Sequence, residues 1–293
     1  MLRAISQKGF DVGNIVFLSV LVLLTSYPFY YILINSVSVP ARILSAPAFL
    51  LPKGFTWVNY EQIFTKNDLI GPFFVSLSRA VVGTFLTLAG SSMLAYGLTK
   101  KQLPFRRTMY FGVIFTMYIS VGLIPNYILM SELHLLDTYW VYVLPGIVNA
   151  FFLVLIKTYF EQLPIALEEA AMLEGAGVFT IFRKIVLPLS KPILATVAIF
   201  SAVGQWNSWV DNLYYVTNSK WMTLQLLLLN YIQSQSYNLR DAAALSTMES
   251  AISVTPQSLR MGITVLVIAP IFLVYPFLQK YFVKGIMLGA VKG

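Results

Sequence analysis

Long apolar runs separated by short polar interruptions fill this chain, at residues near 12–36, 73–98, 108–131, 140–160, 187–209 and 261–283. Each is long enough for a helix to cross about 30 Å of hydrocarbon, which takes roughly twenty residues. None shows the two-residue alternation of a membrane strand, and a continuous apolar run satisfies its backbone in lipid only as a helix. The pattern predicts an all-α polytopic membrane protein, one transmembrane domain over residues 1–293 with six transmembrane helices. Pro28, Gly83, Gly90, Gly122, Pro125, Pro145, Gly204, Pro270 and Pro276 fall inside or beside these runs and predict kinks that neighbouring helices absorb. The first run lacks a small-residue cleavage site and exceeds a signal-peptide core, so it reads as a retained span. Two longer loops, 37–72 and 210–260, carry Pro47, Pro52, Trp57 and Tyr60 in one and Trp221, Tyr231 and Tyr237 in the other. That composition suits ordered interfacial loops rather than disordered tails.

Composition agrees with the pattern: 58% of residues are apolar and 11% charged, too oily for a soluble domain. The formal charge of +8 is spread over the ends of the apolar runs and forms no basic patch with aromatic neighbours, which argues against a nucleic-acid partner. The basic residues act instead as topology signals. Arg3, Lys8, Lys100, Lys101, Arg106, Arg107, Lys157, Arg183, Lys184, Lys191, Lys280, Lys284 and Lys292 fall on one side of the predicted topology, against Arg42, Lys53, Lys66, Lys220, Arg240 and Arg260 on the other. The richer side is cytoplasmic by the positive-inside rule, which puts both termini and the fourth-to-fifth connection in the cytoplasm. The chain has no cysteine and a single histidine, His134, so disulfides, thiolate chemistry and multi-histidine metal sites are excluded by inventory.

That fourth-to-fifth connection, residues 164–188, puts a short charged stretch into otherwise membrane-grade hydrophobic sequence. Pro164 suits a first helical turn, Glu168 and Glu169 sit near its positive end, and Gly175 and Gly177 stop it, so a helix of about three turns is predicted over 164–174. Ile165, Leu167, Ala170, Ala171 and Met172 are too apolar for a freely solvated helix, while Glu168, Glu169 and Glu174 offer charge-assisted hydrogen bonds to a basic cleft. A second amphipathic piece, Phe179 to Ile185, returns the chain to the membrane at Leu187 and Pro188. By composition alone the segment serves equally as a helix lying on lipid headgroups. Its acidic first half favours a protein partner, because anionic lipid repels three glutamates within seven residues.

Glu169-Ala170-Ala171, Gly175 after three intervening residues, and Ile185-Val186-Leu187-Pro188 resemble the coupling segment of permease subunits of bacterial ATP-binding-cassette importers, with Glu174 where many members carry Asp. Ala95-Tyr96-Gly97-Leu98, Gln205-Trp206-Asn207-Ser208-Trp209 and the terminal Gly285 to Gly293 are similar to the carbohydrate-importer branch, typified by the smaller maltose-transporter permease. The first outer loop, with Pro52 to Tyr60, resembles a branch that handles oligosaccharides released from polysaccharides, and overall the chain is similar to the permeases of alginate-fragment importers. The resemblance covers nearly the whole chain. It implies a multi-pass permease of the bacterial cytoplasmic (inner) membrane that forms a heterodimer with a second permease. Two ATP-binding-cassette ATPase subunits and a periplasmic or surface solute-binding protein complete the assembly. ATP and Mg then bind in the ATPase subunits and no cofactor binds in this chain. The coupling residues it implies are Glu168, Glu169, Ala170, Ala171, Glu174, Gly175, Leu187 and Pro188.

Aromatic faces cover the C–H face of a sugar while amides and hydroxyls replace its hydration. The candidates for an oligosaccharide path are therefore Gln205, Trp206, Asn207 and Trp209, followed by Asp211, Asn212 and Tyr214, at the end of the fifth run, and Tyr118, Asn126 and Tyr127 on the third. An aromatic belt at the water boundary explains the rings equally well. Asn126 carries more weight, because an amide at membrane depth seeks a polar partner or a water-filled path. Arg79 is a cation inside a predicted run, and an intramembrane charge suggests a pathway or pairing role that would suit an acidic sugar; only about two turns from the start of its helix, it reads more simply as a cation that snorkels to the outer interface. Glu132, His134 and Asp137 read as a solvated turn rather than a metal cluster. The polar stretch Gln233, Ser234, Gln235, Ser236 and Asn238 suits either a transient docking surface for the binding protein or a lid over the cavity. An intramembrane enzyme is disfavoured because the carboxylates fall almost entirely in loops. An ion-coupled secondary transporter, the rival among carriers, needs buried ionisable groups at mid-bilayer and no cytoplasmic docking helix.

Overall fold

The computed structural model describes the backbone of residues 2–66, 69–119, 121–241 and 255–290. Among these the architecture is all-helical, and the one β pairing is an isolated bridge between Ser38 and Phe55. In chain order the helices are α1 (Leu2–Ser36), α2 (Pro40–Ser45), α3 (Val58–Lys66), α4 (Ile70–Thr99), α5 (Arg106–Tyr118), α6 (Leu123–Glu132), α7 (Ala150–Phe160) and α8 (Ile165–Leu173). They continue with α9 (Val178–Ile181), α10 (Leu187–Leu189), α11 (Lys191–Asn207), α12 (Val210–Tyr215), α13 (Leu224–Asp241) and α14 (Pro256–Ala290). The stretch 242–254 of the second long loop and the side chains of Ser234, Gln235, Ser236 and Asn238 lie outside the described residues.

Two compact units divide the chain, one drawn from Met1–Leu69 with Leu228–Ala269 and the other from Ile70–Leu227 with Pro270–Gly293. In the first, the apolar side chains of α1 from Phe10 to Phe29 face outward, as a lipid-facing helix requires, and order begins where that run ends. Asn35 is fully buried and clips the following loop: its amide donates to the carbonyls of Tyr31 and Ala48 at 2.8 and 2.9 Å and its Oδ1 accepts from the Ala48 amide at 3.0 Å. Asn59 does the same from α3, donating to the carbonyls of Ser36 and Ser38 at 2.7 and 3.2 Å. Paired amides of this kind let a loop bury polar backbone without penalty, which is why residues 37–66 hold a definite shape.

The second unit is built around α4, against which α11 and α7 pack. One apolar cluster gathers Ala95, Tyr96 and Leu98 of α4, Leu153, Ile156 and Phe160 of α7, Ile181, Phe182 and Val186, and Val197 of α11. A second gathers Val75, Met130, Val141, Tyr142, Val143 and Val216.

Among the described residues Phe10–Ser36, Ile70–Thr99 and Gln257–Tyr275 are long and apolar enough to cross a membrane unbroken, and two helix pairs pass only together, bent by 75° and 80°. The run at 108–131, expected as one span, is broken between α5 and α6, where Gly122 takes φ +84° and so leaves the helical region altogether. The run at 140–160 likewise opens with a 3₁₀ turn, Tyr139–Tyr142, and an irregular stretch before α7 begins at Ala150. That stretch, with Pro145 and Gly146, finds its hydrogen bonds on α4: Thr87 Oγ1 donates to the Gly146 carbonyl at 2.8 Å, and Ser91 Oγ accepts from the Asn149 amide at 3.2 Å. Irregular backbone in such an apolar unit is tolerated where protein partners it in this way.

His134 explains the end of α6. It takes φ +55°, its amide donates to the Ser131 carbonyl at 3.0 Å and the next amide, of Leu135, donates to Met130 at 3.0 Å, the paired arrangement that closes a helix through one left-handed residue. Glycine holds that conformation without steric cost. His134→Gly is therefore expected to change stability by anything from nothing to a gain of about 1 kcal/mol, read as an unchanged or raised thermal midpoint of the purified complex; a clearly lowered midpoint would contradict this role.

Candidate transport site and coupling segment

The segment 164–188 forms an elbow of short helices. Pro164, extended at ψ 119°, starts α8, and Gly175, at φ +82°, ends it: the Gly175 amide donates to Met172 at 3.0 Å and the Ala176 amide to Ala171 at 2.9 Å. After α9 the backbone passes through a π turn, Phe182–Val186, into α10, where Leu187 is half-buried and Pro188 exposed. The three glutamates separate in role. Glu168 turns inward and forms an ion pair with Lys100 from the end of α4, and the Lys100 ammonium lies 3.9 Å from the centre of the Tyr96 ring, which itself stacks on Phe182 at 5.0 Å. This chain of contacts fastens α8 to the end of α4. Ala171 is buried beside it. Glu169, Ala170, Glu174 and Gly175 face outward, with Ile165, Leu167, Met172 and Leu173 exposed among them, Leu173 to 90%.

At the other end of α4, a cavity of ≈ 490 Å³ opens between α4, α6, α11, α12 and the irregular stretch before α7. Its polar lining is Thr87, Asn126, Asn149, Ser201, Gln205, Ser208 and the pair Arg79 and Asp211; its rings are Tyr142, Phe152, Phe200 and Tyr215. The snorkelling expected for Arg79 is overturned. Its side chain is 2% exposed and its guanidinium is held on every side: Nε donates to Gln205 Oε1 at 3.2 Å, Nη1 to the Ser208 carbonyl and to Asp211 Oδ1 at 3.2 Å each, and Nη2 to Asp211 Oδ2. The Tyr142 ring lies 4.5 Å beneath it. A buried cation needs such a complete set of acceptors, and a carboxylate brought close by α12 outcompetes the route to water.

Of the path candidates, Asn126 and Gln205 line this cavity. Asn126 spends one N–H on the Gly122 carbonyl at 2.8 Å, one turn back. Trp206 is buried elsewhere, edge-on to Phe73 at 6.1 Å, and Asn207 accepts from Gln225 Nε2 at 3.1 Å. Tyr118, Tyr127, Trp209 and Tyr214 are exposed and do not line it, and Asn212 is buried, accepting at Oδ1 from Thr223. Thr87, Asn149, Ser201 and Tyr142 escaped notice. Only helical register would have found Ser201, one turn before Gln205 on the same face of α11.

Asp137, outside the spans, accepts from the amides of Thr217 and Asn218 and from the Thr217 hydroxyl, and those donors hold its carboxyl below the usual carboxylate range. A depressed carboxyl stabilises the fold above its ordinary pKa and loses that contribution only as pH falls through the lowered value. The contact therefore ties the turn after α6 to residues 217–218 and outlasts the ordinary carboxylate pKa as pH falls.

No protein-family model matches the chain. Protein LplC of Bacillus subtilis is 40% identical over 98% of this chain and 96% of its own length. The polygalacturonan/rhamnogalacturonan transport system permease YtcP of the same organism is 36% identical over 98% of this chain and 99% of its own length. The chain belongs to the ABC sugar-transport permeases. A solved bacterial ABC transporter involved in import of the acidic polysaccharide alginate contains a chain that superposes with a TM-score of 0.83 at 31% identity, covering 94% of this chain and 98% of that one. An ABC permease is the membrane subunit of its transporter, and the ATPase lies in other subunits.

Proposed function

We propose that this permease forms part of the translocation path of an ATP-driven importer for anionic oligosaccharides. It pairs with a second permease, receives substrate from a solute-binding protein and is driven through residues 164–188 by two ATPase subunits that bind ATP and Mg. Six crossings follow if α5 with α6 make one broken span and residues 139–160 another, with α1, α4, α11 and α14 completing the set. Both termini and the elbow are then cytoplasmic.

The observation that carries this reading is the division of labour in α8. Glu168 and Ala171 anchor the helix to its own chain, while Glu169, Glu174 and the exposed Ile165 and Leu173 form a mixed acidic and apolar face that neither water nor anionic lipid suits. Such a face, mounted rigidly on α4, transmits motion of an ATPase cleft to the cavity at the far end of the same helix. The polysaccharides named for YtcP and for the alginate transporter are acidic, which supports an anionic substrate. The complex reconstituted with its partners should show ATPase activity stimulated by binding protein loaded with uronic-acid oligosaccharides and little by neutral ones. Stimulation by neutral oligosaccharides alone, or by none, counts against the assignment.

A further inference from the structure

Arg79 is set as a receptor for a carboxylate, and the carboxylate it now holds belongs to its own chain. The guanidinium is fixed by contacts that do not depend on Asp211: Gln205 Oε1 and the Ser208 carbonyl, each at 3.2 Å, and the Tyr142 ring at 4.5 Å. Its free edge presents a two-pronged fork, filled by Asp211. Both partners line the cavity, and they differ in access, for the Arg79 side chain is 2% exposed and that of Asp211 21%, so the carboxylate is the more accessible side of the pair. Asp211 rides on α12, six residues long and separated from α11 by Ser208 and Trp209, of which Ser208 is extended at ψ 130°. Asp211 Oδ1 also accepts from Ser208 Oγ at 3.0 Å and from the Asn212 amide at 2.9 Å, donors that would still serve it off the fork.

We propose that the Arg79 fork is the carboxylate subsite of the translocation path and that Asp211 is its built-in competitor, displaced when a uronic-acid residue of the substrate enters the cavity. This rests on the oligosaccharide reading above and adds the residue that recognises charge. Exchange of one carboxylate for another on a fixed guanidinium keeps the buried cation paired throughout, whereas opening the pair toward a neutral sugar strands it. A tethered competitor weakens binding by the fraction of time it occupies the site, which keeps affinity low enough for release on the far side.

The test is equilibrium binding to the full transporter complex in lipid nanodiscs, without binding protein, of oligogalacturonate and of its methyl ester, which removes the charge and keeps the sugar. Asp211→Asn keeps an acceptor for Ser208 and the Asn212 amide but no longer fills the fork as an anion, and should bind the free acid about tenfold more tightly than the parent, with a larger preference for acid over ester. The double variant Arg79→Gln with Asp211→Asn buries no unpaired charge, and should bind acid and ester alike; it keeps the test decisive should the single variant not assemble with its partners. Equal acid affinity in the parent and Asp211→Asn, or an acid preference retained in the double variant, overturns the proposal. Failure of the oligosaccharide reading looks different: neither acid nor ester binds to parent or variants and neither stimulates ATPase when presented on binding protein, and the proposal falls with it.

Discussion

Glu169→Lys is expected to give a complex that inserts and folds as the parent does, retains ATP hydrolysis, and takes up substrate at least about tenfold more slowly. Glu169 is exposed on α8 and makes none of the ion pairs found among the described residues, so reversing its charge disturbs nothing inside the chain. Exposed substitutions of that kind usually change stability by less than about 0.5 kcal/mol. Its neighbour Glu168 behaves differently, because lysine there would face Lys100 and unfasten α8 from α4. The contrast separates a docking role from a structural one. Uptake into vesicles and ATP hydrolysis measured on the same preparation give the coupling ratio. If Glu169→Lys leaves both uptake and substrate-stimulated hydrolysis unchanged, α8 is not the coupling element.

How far the sequence revealed this arrangement depends on how local each feature is. The limits of α8 were readable, because Pro164 and Gly175 set its ends through their own backbone preferences. The unbroken spans within α1 and α4 were readable for the same reason, since a run of apolar residues needs no partner to be recognised. Breaks were harder. Gly122 and Pro125 were visible as weak points, but whether a helix bends or stops at such a place is decided by what neighbouring backbone and side chains can satisfy, as the interruption before α7 shows with Thr87 and Ser91.

The cavity was legible only in part for a related reason. Reading Gln205 to Trp209 as one cluster ignored the helical turn of about 100° per residue, which sends Gln205 to the cavity and Trp206 to Phe73. Arg79 was misplaced because its partner lies on α12, far along the chain, and a charge considered singly in an apolar run has nowhere to go except water. Asp211, considered singly, belonged to a loop. Only their meeting makes a buried ion pair of them.

Gly90→Ala should be the most damaging single-methyl change in the second unit. A β-carbon at Gly90 would sit 2.5 Å from Ile147 Cγ2 and 2.7 Å from the Ile147 carbonyl oxygen, and the latter is backbone that cannot rotate away. By comparison, a β-carbon at Gly83 would meet the Gln205 side chain, at 2.8 Å, which can turn aside only by loosening its bond to Arg79 Nε. The stretch that Ile147 belongs to is held to the same face of α4 by Thr87 and Ser91, so relief by retreat of that stretch would break the bonds to Gly146 and Asn149 and leave buried polar groups without partners. Overpacking costs about 1–3 kcal/mol, and the lost hydrogen bonds add to it. The expected result is a clear fall in the thermal midpoint of the complex for Gly90→Ala and a smaller one for Gly83→Ala, whose obstacle is a side chain rather than backbone. The order matters more than the size: if Gly83→Ala proved the worse of the two, the irregular stretch before α7 would not be held rigidly against α4.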